Sequence, residues 1–496
     1  YLLFILTADS IPSIDPHSFS REDVARPLVV DLDGTLLHTD TLHESALLLL
    51  RNQPHLALML PFWLLGGKAN LKQMLATHIQ LNVAALPYNQ ALIDYLQLQK
   101  QQGRTLVLCT ATDKRIAEAI AQHLGIFDAV MATDGTRNLA GHTKAQALVE
   151  RYGEQQFDYI GNSETDLAVW AKAKQGIVVN GSDGLVRQAQ AIVNVVHIIA
   201  KSPIRFSEWL AVFRVHQWVK NVLLFVPILA AHQAITGELG ITLLLAFIAF
   251  SLCASSVYIA NDLLDLESDR QHPRKCHRPF AAGRAPVWVG TLLAPLVMTL
   301  SFVVAAFVNG PFFIWLLIYF AITCAYSWGL KRLVLVDCLT LAILYTLRIV
   351  AGAAAVNVPL SFWLLALSIF LFLSLAFIKR YAELQVHESN SVSKVHGRGY
   401  YTSDAPLVQQ LGISSGFAAV LVLALYLNST TVVLLYRTPE LIWIAVPLML
   451  LWLSWMWLKA HRGLMHDDPI VFAIKDKISL AIGILFVATF VLARLW

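Results

Sequence analysis

The pattern of apolar and polar positions divides the chain into two parts. Up to about residue 205, short apolar runs alternate with amphipathic and polar stretches, as in a soluble α/β domain. Beyond that point long apolar runs dominate, and nine of them are candidate membrane-spanning helices. The nine predicted spans are 219–233, 238–260, 287–308, 311–328, 335–356, 360–379, 411–429, 440–459 and 478–495. Several are short, which is expected of helices that pack around a polar cavity.

Composition supports a membrane protein and excludes some classes of function. Hydrophobic residues make up 57% of the 496 residues and charged residues only 14%, which is too apolar for a soluble protein. The net charge of +4 is too small to predict a nucleic-acid partner. The five cysteines are scattered without a CxxC pair, so the sequence predicts neither a zinc site nor a disulfide framework.

The first part contains an apolar strand pattern that ends on two acidic residues. Residues 27–30 lead directly into Asp31 and Asp33, and Gly34 permits a sharp turn after them. Two carboxylates two residues apart suit Mg²⁺ binding while one attacks phosphorus and the other moves a proton. The pattern therefore predicts a magnesium-dependent phosphoryl site at the end of a strand.

Later pieces of the same part extend this pattern. A second strand ends at Thr110, Lys144 supplies a cation, and a further strand precedes Asp166. In this order the pieces resemble the haloacid dehalogenase (HAD) phosphatase superfamily. The resemblance implies an α/β, Rossmann-like HAD domain over residues 22–200, with a helical cap at about 38–101 over the site.

The HAD resemblance also implies a role for each residue. Asp31 would be the nucleophile that forms an aspartyl-phosphate, and Asp33 would be the general acid and base. Thr110 would hold a phosphate oxygen, and Lys144 would stabilise the phosphoenzyme. The implied magnesium ligands are Asp31, Asp33 and Asp166.

One residue departs from the HAD pattern. Asn162 stands where the family often has Asp, so one negative charge is lost on the metal side of the site. We expect this change to weaken the magnesium site. The alternative is a structural HAD domain without activity.

The second part is organised around a polar stretch that follows the apolar run 238–260. Asn261, Asp265 and Asp269 are spaced at i, i+4 and i+8, which predicts one helix face, with Asp262 beside it. Carboxylates this close repel one another unless cations neutralise them, and all-oxygen ligands favour Mg²⁺ bound to phosphate oxygens. The stretch predicts a diphosphate site at a membrane surface; the alternative is a solvated loop.

Basic residues complement these carboxylates. The candidates for contacts with phosphate groups are Lys220, Lys275, Arg278, Arg348, Lys379 and Arg380. Lys220 and Arg348 are the strongest candidates, because a charge inside or beside an apolar span is costly without a partner. For the others, contact of a long side chain with lipid headgroups is the alternative.

The basic residues of the second part are concentrated in alternate loops. These loops follow the second, fourth, sixth and eighth predicted spans, while the loops between them carry almost no charge. By the positive-inside rule the basic loops are cytoplasmic. The pattern places the HAD domain and the polar stretch on the cytoplasmic side of a bacterial inner membrane. Residues 201–220 are predicted to be a linker and an interfacial helix.

The polar stretch and the nine spans together resemble the UbiA superfamily of intramembrane prenyltransferases. The resemblance covers residues 221–496 and implies an all-α membrane domain. The family usually has a second Asp-rich motif, but here the corresponding region has Asp337 without a second Asp four residues later. Segments around Lys220, Arg278 and Arg348 resemble the branch of decaprenyl-phosphate phosphoribosyltransferases.

This branch implies transfer of ribose 5-phosphate from phosphoribosyl diphosphate to a polyprenyl phosphate. Mg²⁺ held by Asp262, Asp265 and Asp269 would neutralise the leaving diphosphate, and the phosphate acceptor would need no strong base. Asn261 would contact the substrate, and Asp337 would hold a second metal or the ribose.

The fusion of the two parts leads to a hypothesis about their order of action. A phosphoribosyl lipid still carries a 5-phosphate, which a HAD phosphatase on the same side of the membrane would remove. Three alternatives remain: an aromatic prenyltransferase with a polyprenyl diphosphate donor, a phosphatase anchored by an inert membrane domain, and a transporter. The sequence does not determine the length of the prenyl chain or the oligomeric state.

Overall fold

The computed structural model divides the chain into two compact units. The first contains the chain up to Trp209 together with Asp262–Thr291, and the second contains Leu210–Asn261 and Leu292–Trp496. The structure describes residues 24–134, 137–200, 203–231, 236–389, 399–429, 432, 436–465 and 468–495. The predicted domain start at residue 22 and linker start at residue 201 lie outside these residues. The predicted Asp-rich stretch, from Asp262 onward, belongs to the first unit.

A six-stranded parallel sheet forms the centre of the first unit. Its strands are β1 (Leu28–Val30), β2 (Leu106–Asp113), β3 (Ala129–Thr133), β4 (Asp158–Gly161), β5 (Gln175–Val179) and β6 (Asn194–Ile199). They are ordered β3-β2-β1-β4-β5-β6, and each neighbouring pair is parallel. The direction of the strand order reverses at β1, so the residues after β1 lie at the point where open α/β sheets bind ligands.

Both faces of this sheet are buried at its central strands β1 and β4. Leu28 and Val30 contribute to one apolar cluster with Ile160, whereas Val29 contributes to another with Val107. This alternation follows from the two-residue period of a strand, and burial on both faces is typical of parallel sheets. The predicted α/β class of the N-terminal domain is confirmed.

Helices cover the sheet, and the predicted cap region is mostly helical. The first of them begins where the Asp40 carboxylate accepts a hydrogen bond from the backbone N–H of Leu42, at 2.8 Å. The α-helices of the first unit are Thr41–Asn52, Pro54–Ala57, Leu60–Leu65, Lys68–His78, Gln90–Gln101, Lys114–Leu124, Gly141–Tyr152, Leu167–Trp170, Asp183–Ile192 and Leu266–Gln271.

Eight helices among the described residues are long and apolar enough to cross a membrane. They are Gly237–Leu264, Val287–Ala306, Gly310–Trp328, Val336–Ala355, Phe362–Val386, Thr402–Leu427, Pro439–His461 and Lys477–Leu495. They coincide with the last eight predicted spans. The first predicted span, 219–233, falls on the shorter apolar helical segment Val215–Ala230. The helical membrane domain is confirmed, and the count of nine spans stays a prediction.

The segment Val215–Ala230 packs closely on the helix Val336–Ala355. A Cβ atom added at Gly352 would lie 2.1 Å from the backbone oxygen of Leu224, so glycine is required for this approach. The close packing places Lys220 and Asn221 beside the polar side chains of the helix Val336–Ala355.

Candidate active sites

The end of β1 brings Asp31 to Lys144. The Lys144 ammonium, on the helix Gly141–Tyr152, donates to Asp31 Oδ1 at 2.7 Å, and both residues are buried. Burial raises the pKa of Asp31 to about 7, although the charge of Lys144 opposes this shift. Burial by itself would lower the pKa of Lys144, but Asp31 and Asp166 raise it overall. The Asp31 carboxyl group therefore lies beside a cation that remains charged, and its role as a nucleophile stays a prediction.

Asp33 is held by two threonines. Its Oδ1 accepts from the backbone N–H of Thr41 at 2.8 Å, and its Oδ2 accepts from the hydroxyl of Thr112 at 2.7 Å. The two threonine hydroxyls are also 2.8 Å apart. Burial raises the pKa of Asp33 above its usual value, while these hydrogen bonds oppose the shift. A fixed carboxyl group with a raised pKa suits a general acid.

Asp166 fixes the turn that follows β4. Its Oδ2 accepts from the backbone N–H groups of Asn162 and Ser163, at 3.0 and 2.9 Å, and from the Ser163 hydroxyl at 2.8 Å. Its Oδ1 accepts from the Tyr159 hydroxyl at 2.7 Å, and that hydroxyl accepts from Lys144 at 3.0 Å. Sequence reasoning missed Tyr159, because an aromatic residue inside a strand is typical of a core. The role of Asp166 as a magnesium ligand stays a prediction.

A cavity of about 420 Å³ lies in front of these groups. Asp31, Asp33, Lys144 and Asn162 all line it. Among the described residues, no three His, Cys, Asp or Glu side chains are grouped closely enough to hold a metal ion. Mg²⁺ needs only one or two carboxylates when substrate phosphate and water complete its ligands. The oxygen donors of this wall therefore fit a magnesium–phosphate complex.

The structure places two further residues near this cavity. Thr110 is fully buried, and its hydroxyl accepts from the backbone N–H of Thr112 at 3.0 Å. The cavity wall includes the neighbouring Ala111, so the phosphate contact of Thr110 stays a prediction. Lys72, which sequence reasoning missed, also lines the cavity, and its ammonium donates to the Ala111 oxygen at 2.7 Å. Lys72 belongs to the helix Lys68–His78 of the predicted cap. It lies outside the strand-end motifs, so the local sequence does not identify it as a site residue.

The Asp-rich stretch is interrupted at Asp265. One helix ends at Leu264, and the next begins at Leu266 with Asp265 in a non-helical backbone conformation. The prediction of one unbroken helix face for Asn261, Asp265 and Asp269 is therefore wrong. Asp265 instead lies 3.5 Å from the Arg51 guanidinium, which also donates to the Leu264 oxygen.

Asp262 and Asp269 converge on one guanidinium. Arg278 donates to Asp262 Oδ1 at 3.0 Å and to Asp269 Oδ2 at 2.5 Å, and both carboxylates are buried. Lys275 lies farther away, 4.0 Å from Asp269. Burial raises the pKa of Asp269, with Arg278 opposing the shift. Two buried carboxylates that face one point need a cation there, and the Arg278 guanidinium supplies it in this structure. The same carboxylate oxygens are of the type that Mg²⁺ binds.

The second unit contains a separate basic cluster around Asp468. Lys220 donates to Asp468 Oδ2 at 2.7 Å, Lys379 lies 3.5 Å from the same oxygen, and the Tyr345 hydroxyl donates at 3.0 Å. Burial by itself would raise the pKa of Asp468, but Lys220 and Lys379 hold it well below its usual range. Sequence reasoning did not select Asp468, although an Asp-Pro pair at a helix start is a recognised signal.

Arg348 is buried inside its span and fully engaged with neighbours. Its guanidinium donates to the Asn221 side-chain oxygen at 2.9 Å, to the Leu344 oxygen at 2.5 Å and to the Tyr319 hydroxyl at 3.0 Å. It also lies over the rings of Phe250 and Tyr319. These contacts agree with the expectation that a charge within a span has partners.

Asp337 and Arg380 form a buried ion pair. Asp337 is completely buried and accepts from the Arg380 guanidinium and from the Tyr400 hydroxyl, the latter at 2.7 Å. Arg380 also pairs with Glu383. Both predicted substrate contacts therefore lie in one network, and their contact with substrate stays a prediction.

Two families match separate parts of the chain. Residues 222–493 match the family described as the UbiA prenyltransferase family, and residues 28–170 match haloacid dehalogenase-like hydrolases. The second match includes Asp31, Asp33 and Lys144, and the first includes Asp262 and Asp269. Each pair of neighbouring carboxylates described above thus falls within a matched region.

Some relatives are similar to nearly the whole chain and others to part of it. Uncharacterized protein y4nM of Sinorhizobium fredii is 37% identical over 485 residues, which are 97% of this chain and 93% of that protein. Nodulation protein NoeC of Azorhizobium caulinodans is 35% identical over 296 residues, 58% of this chain and 94% of that protein. Decaprenyl-phosphate phosphoribosyltransferase of Mycolicibacterium smegmatis is 37% identical over 194 residues, 38% of this chain and 61% of that protein.

Proposed function

Because the chain belongs to the UbiA prenyltransferase family, we propose that its membrane domain moves a phosphoribosyl group from phosphoribosyl diphosphate to a polyprenyl phosphate. The similarity to the mycobacterial phosphoribosyltransferase supports this choice of donor and acceptor. The haloacid dehalogenase domain then removes the 5-phosphate from the lipid product. The phosphatase domain spans residues 22–200 with its cap at 38–101, 201–220 forms the linker, and 221–496 forms the transferase.

The observation that carries the transferase proposal is the convergence of Asp262 and Asp269 on Arg278. Asp262, Asp265 and Asp269 would hold Mg²⁺, which would neutralise charge on the diphosphate. Arg278 and Lys275 take diphosphate oxygens that the metal does not cover. Neutralising the leaving group lowers the barrier to its departure from ribose C1, where positive charge develops.

The acceptor needs positive charge more than it needs a base. A polyprenyl phosphate is already an anion at neutral pH, so its oxygen attacks ribose C1 without losing a proton. Lys220 and Lys379, held together by Asp468, provide a positive cluster for that phosphate or for the 5-phosphate. Arg348 positions Asn221 beside Lys220 through their hydrogen bond.

The phosphatase step uses Asp31 and Asp33. Asp31 attacks the 5-phosphate, so a bond from its oxygen to phosphorus forms while the bond from phosphorus to the ribose oxygen breaks. Asp33 gives its proton to the leaving ribose oxygen. Water then attacks the aspartyl-phosphate, Asp33 takes a proton from it, and inorganic phosphate leaves. Lys144 offsets the negative charge throughout. Both sites face the cytoplasm of a bacterium, where phosphoribosyl diphosphate is available.

The transferase is tested with radiolabelled phosphoribosyl diphosphate, decaprenyl phosphate and Mg²⁺ in detergent. The wild type should label the lipid, and Asp262→Asn should lower the rate by about 100-fold, because a charge-stabilising group is lost. Glu267→Gln is the matched control, since Glu267 lies on the same short loop helix outside the Arg278 contact. Equal rates for all three proteins contradict the proposal. Consumption of a polyprenyl diphosphate with an aromatic acid, without labelled lipid, assigns the chain to aromatic prenyl transfer instead.

A further inference from the structure

The wall of the phosphatase cavity includes the start of a membrane span. Alongside Asp31 and Asp33, the cavity is lined by Pro286, Val287 and Trp288. Val287 is the first residue of the helix Val287–Ala306, which is apolar enough to cross a membrane. All five residues belong to the first unit. The site that breaks a phosphate ester thus shares its wall with residues at the membrane boundary.

The segment that leads into this span is fixed on the phosphatase domain. Arg270 makes two hydrogen bonds to the Glu44 carboxylate, at 2.7 and 3.1 Å, and this ion pair is buried. Gly283 has a φ of +69°, and a Cβ atom added there would lie 2.6 Å from the His38 Cβ and 3.2 Å from the Pro87 Cβ. The segment therefore packs against the domain with no space for a side chain at Gly283. These contacts fix the position of the residues that follow, which line the cavity.

The two apolar wall residues differ in exposure. Val287 is buried, whereas Trp288 is 53% exposed although it lines the same cavity as Asp31 and Asp33. Tryptophan at the end of a span prefers the depth of the lipid headgroups, because its ring is apolar and its N–H is polar. At this depth a phosphate carried on a lipid headgroup would enter the cavity while its lipid chain stayed in the bilayer.

We propose that Trp288 is a specificity-determining residue that makes the Asp31 site select a phosphate monoester attached to a membrane lipid. This inference rests on the proposed phosphatase function of the N-terminal domain. A lipid-linked substrate contacts the exposed indole with the apolar part next to its headgroup. A water-soluble sugar phosphate has no such part, so it uses only the polar groups of the cavity.

The test compares two substrates with the same phosphorylated sugar. The full chain in phosphatidylcholine nanodiscs is given either ribose 5-phosphate in solution or farnesyl-phosphoryl ribose 5-phosphate in the bilayer, and release of inorganic phosphate is measured. Trp288→Ala should lower kcat/KM about tenfold for the lipid substrate, the usual scale for loss of an apolar contact, and change that for ribose 5-phosphate less than twofold. Trp288→Phe should retain most of the lipid activity.

Controls separate this inference from the phosphatase proposal. Trp328→Ala removes another exposed tryptophan at the end of a span and should change neither rate. Hydrolysis of ribose 5-phosphate by Trp288→Ala reports that the variant is folded. Equal losses on both substrates, or no loss on either, overturn the role of Trp288 while the phosphatase stands. A wild type that hydrolyses neither substrate overturns both proposals.

Discussion

At the residue scale, buried carboxylates in each site lie against a basic side chain. Asp31 meets Lys144, which is 113 positions later, and Asp262 and Asp269 meet Arg278. Buried carboxylates need such partners, because desolvation disfavours their charged form. The same pairing makes these residues sensitive to pH and to added metal.

The first prediction concerns the pH dependence of phosphate release. Burial raises the pKa of Asp31 to about 7, and the nucleophile must be a carboxylate. At limiting Mg²⁺, kcat/KM for phosphate release should therefore rise with pH on the acid side of the profile, with a midpoint near pH 7. More Mg²⁺ should move the midpoint to lower pH, since a cation favours the carboxylate. A profile that is flat between pH 5 and 8 at limiting Mg²⁺ contradicts this account.

The second prediction concerns competition between Arg278 and a metal ion. In Arg278→Ala the Asp262 and Asp269 carboxylates lose their guanidinium, so Mn²⁺ should bind more tightly in the absence of donor. Electron paramagnetic resonance of free Mn²⁺ measures this affinity. The same variant should raise the KM for phosphoribosyl diphosphate about tenfold, because a charged contact to the donor is lost.

Lys275→Ala is the matched control for this experiment. Lys275 is more exposed and lies 4.0 Å from Asp269, so its loss should change the affinity for Mn²⁺ less than twofold. If Arg278→Ala left the Mn²⁺ affinity and the donor KM at their wild-type values, the contact of Arg278 with Asp262 and Asp269 would have no role in binding metal or donor.

Site residues that are neighbours in the sequence could be predicted from it. Site residues that only the fold brings together could not. Asp31 and Asp33 follow one strand, so their chemistry is evident from two neighbouring positions. Tyr159, Lys72 and Asp468 gain their importance from contacts with residues far along the chain. No local pattern distinguishes them from core or surface residues of the same type.

At the scale of elements, the helix Thr41–Asn52 contacts both sets of carboxylates. Its first residue donates a backbone hydrogen bond to Asp33, and its last turn places Arg51 near Asp265. Between them, Glu44 pairs with Arg270. A cap helix of the phosphatase thus also holds the loop of the predicted diphosphate site.

The third prediction is that the Glu44–Arg270 pair stabilises the first unit. Both side chains are under 10% exposed, at 6% and 8%, so Arg270→Met leaves a buried carboxylate without its partner. The expected cost is about 3 kcal/mol, seen as a lower unfolding temperature of the full chain in detergent. The double variant with Glu44→Gln should recover part of this loss, because no charge is then buried.

An exposed ion pair provides the comparison. Lys172 and Glu154 are about half exposed, so Lys172→Ala should cost less than about 1 kcal/mol. Equal effects of Arg270→Met and Lys172→Ala would show that the Glu44–Arg270 ion pair contributes no more to the free energy of unfolding than a surface ion pair.

Most elements could be predicted from hydropathy and strand patterns, but their interruptions could not. Eight spans were predictable because about 20 apolar residues in a row have few alternatives to a membrane helix. The break at Asp265 was not, since the spacing of Asn261, Asp265 and Asp269 suits a continuous helix equally well. The contacts of Arg51 with Leu264 and Asp265, which the local sequence does not reveal, accompany the break.

At the scale of the whole molecule, two family regions lie in one chain, and relatives differ in how much they share. NoeC matches 58% of this chain over 94% of its own length, whereas y4nM matches 97% of this chain. The division into compact units does not follow the family boundary, because Asp262–Thr291 belongs to the unit with the phosphatase sheet. The sequence predicted two domains. It did not predict that Asp262–Thr291 would belong to the first unit, because that assignment depends on contacts such as the ion pair of Arg270 with Glu44.

The proposed function requires one chain to make a phosphoribosyl lipid and then to remove its 5-phosphate. The most direct test is mass spectrometry of the lipid that the intact protein makes from phosphoribosyl diphosphate, decaprenyl phosphate and Mg²⁺. The wild type should give decaprenyl-phosphoryl ribose and free phosphate, and Asp31→Asn should accumulate the lipid that still carries the 5-phosphate. The same phosphate content in both lipid products would contradict the claim.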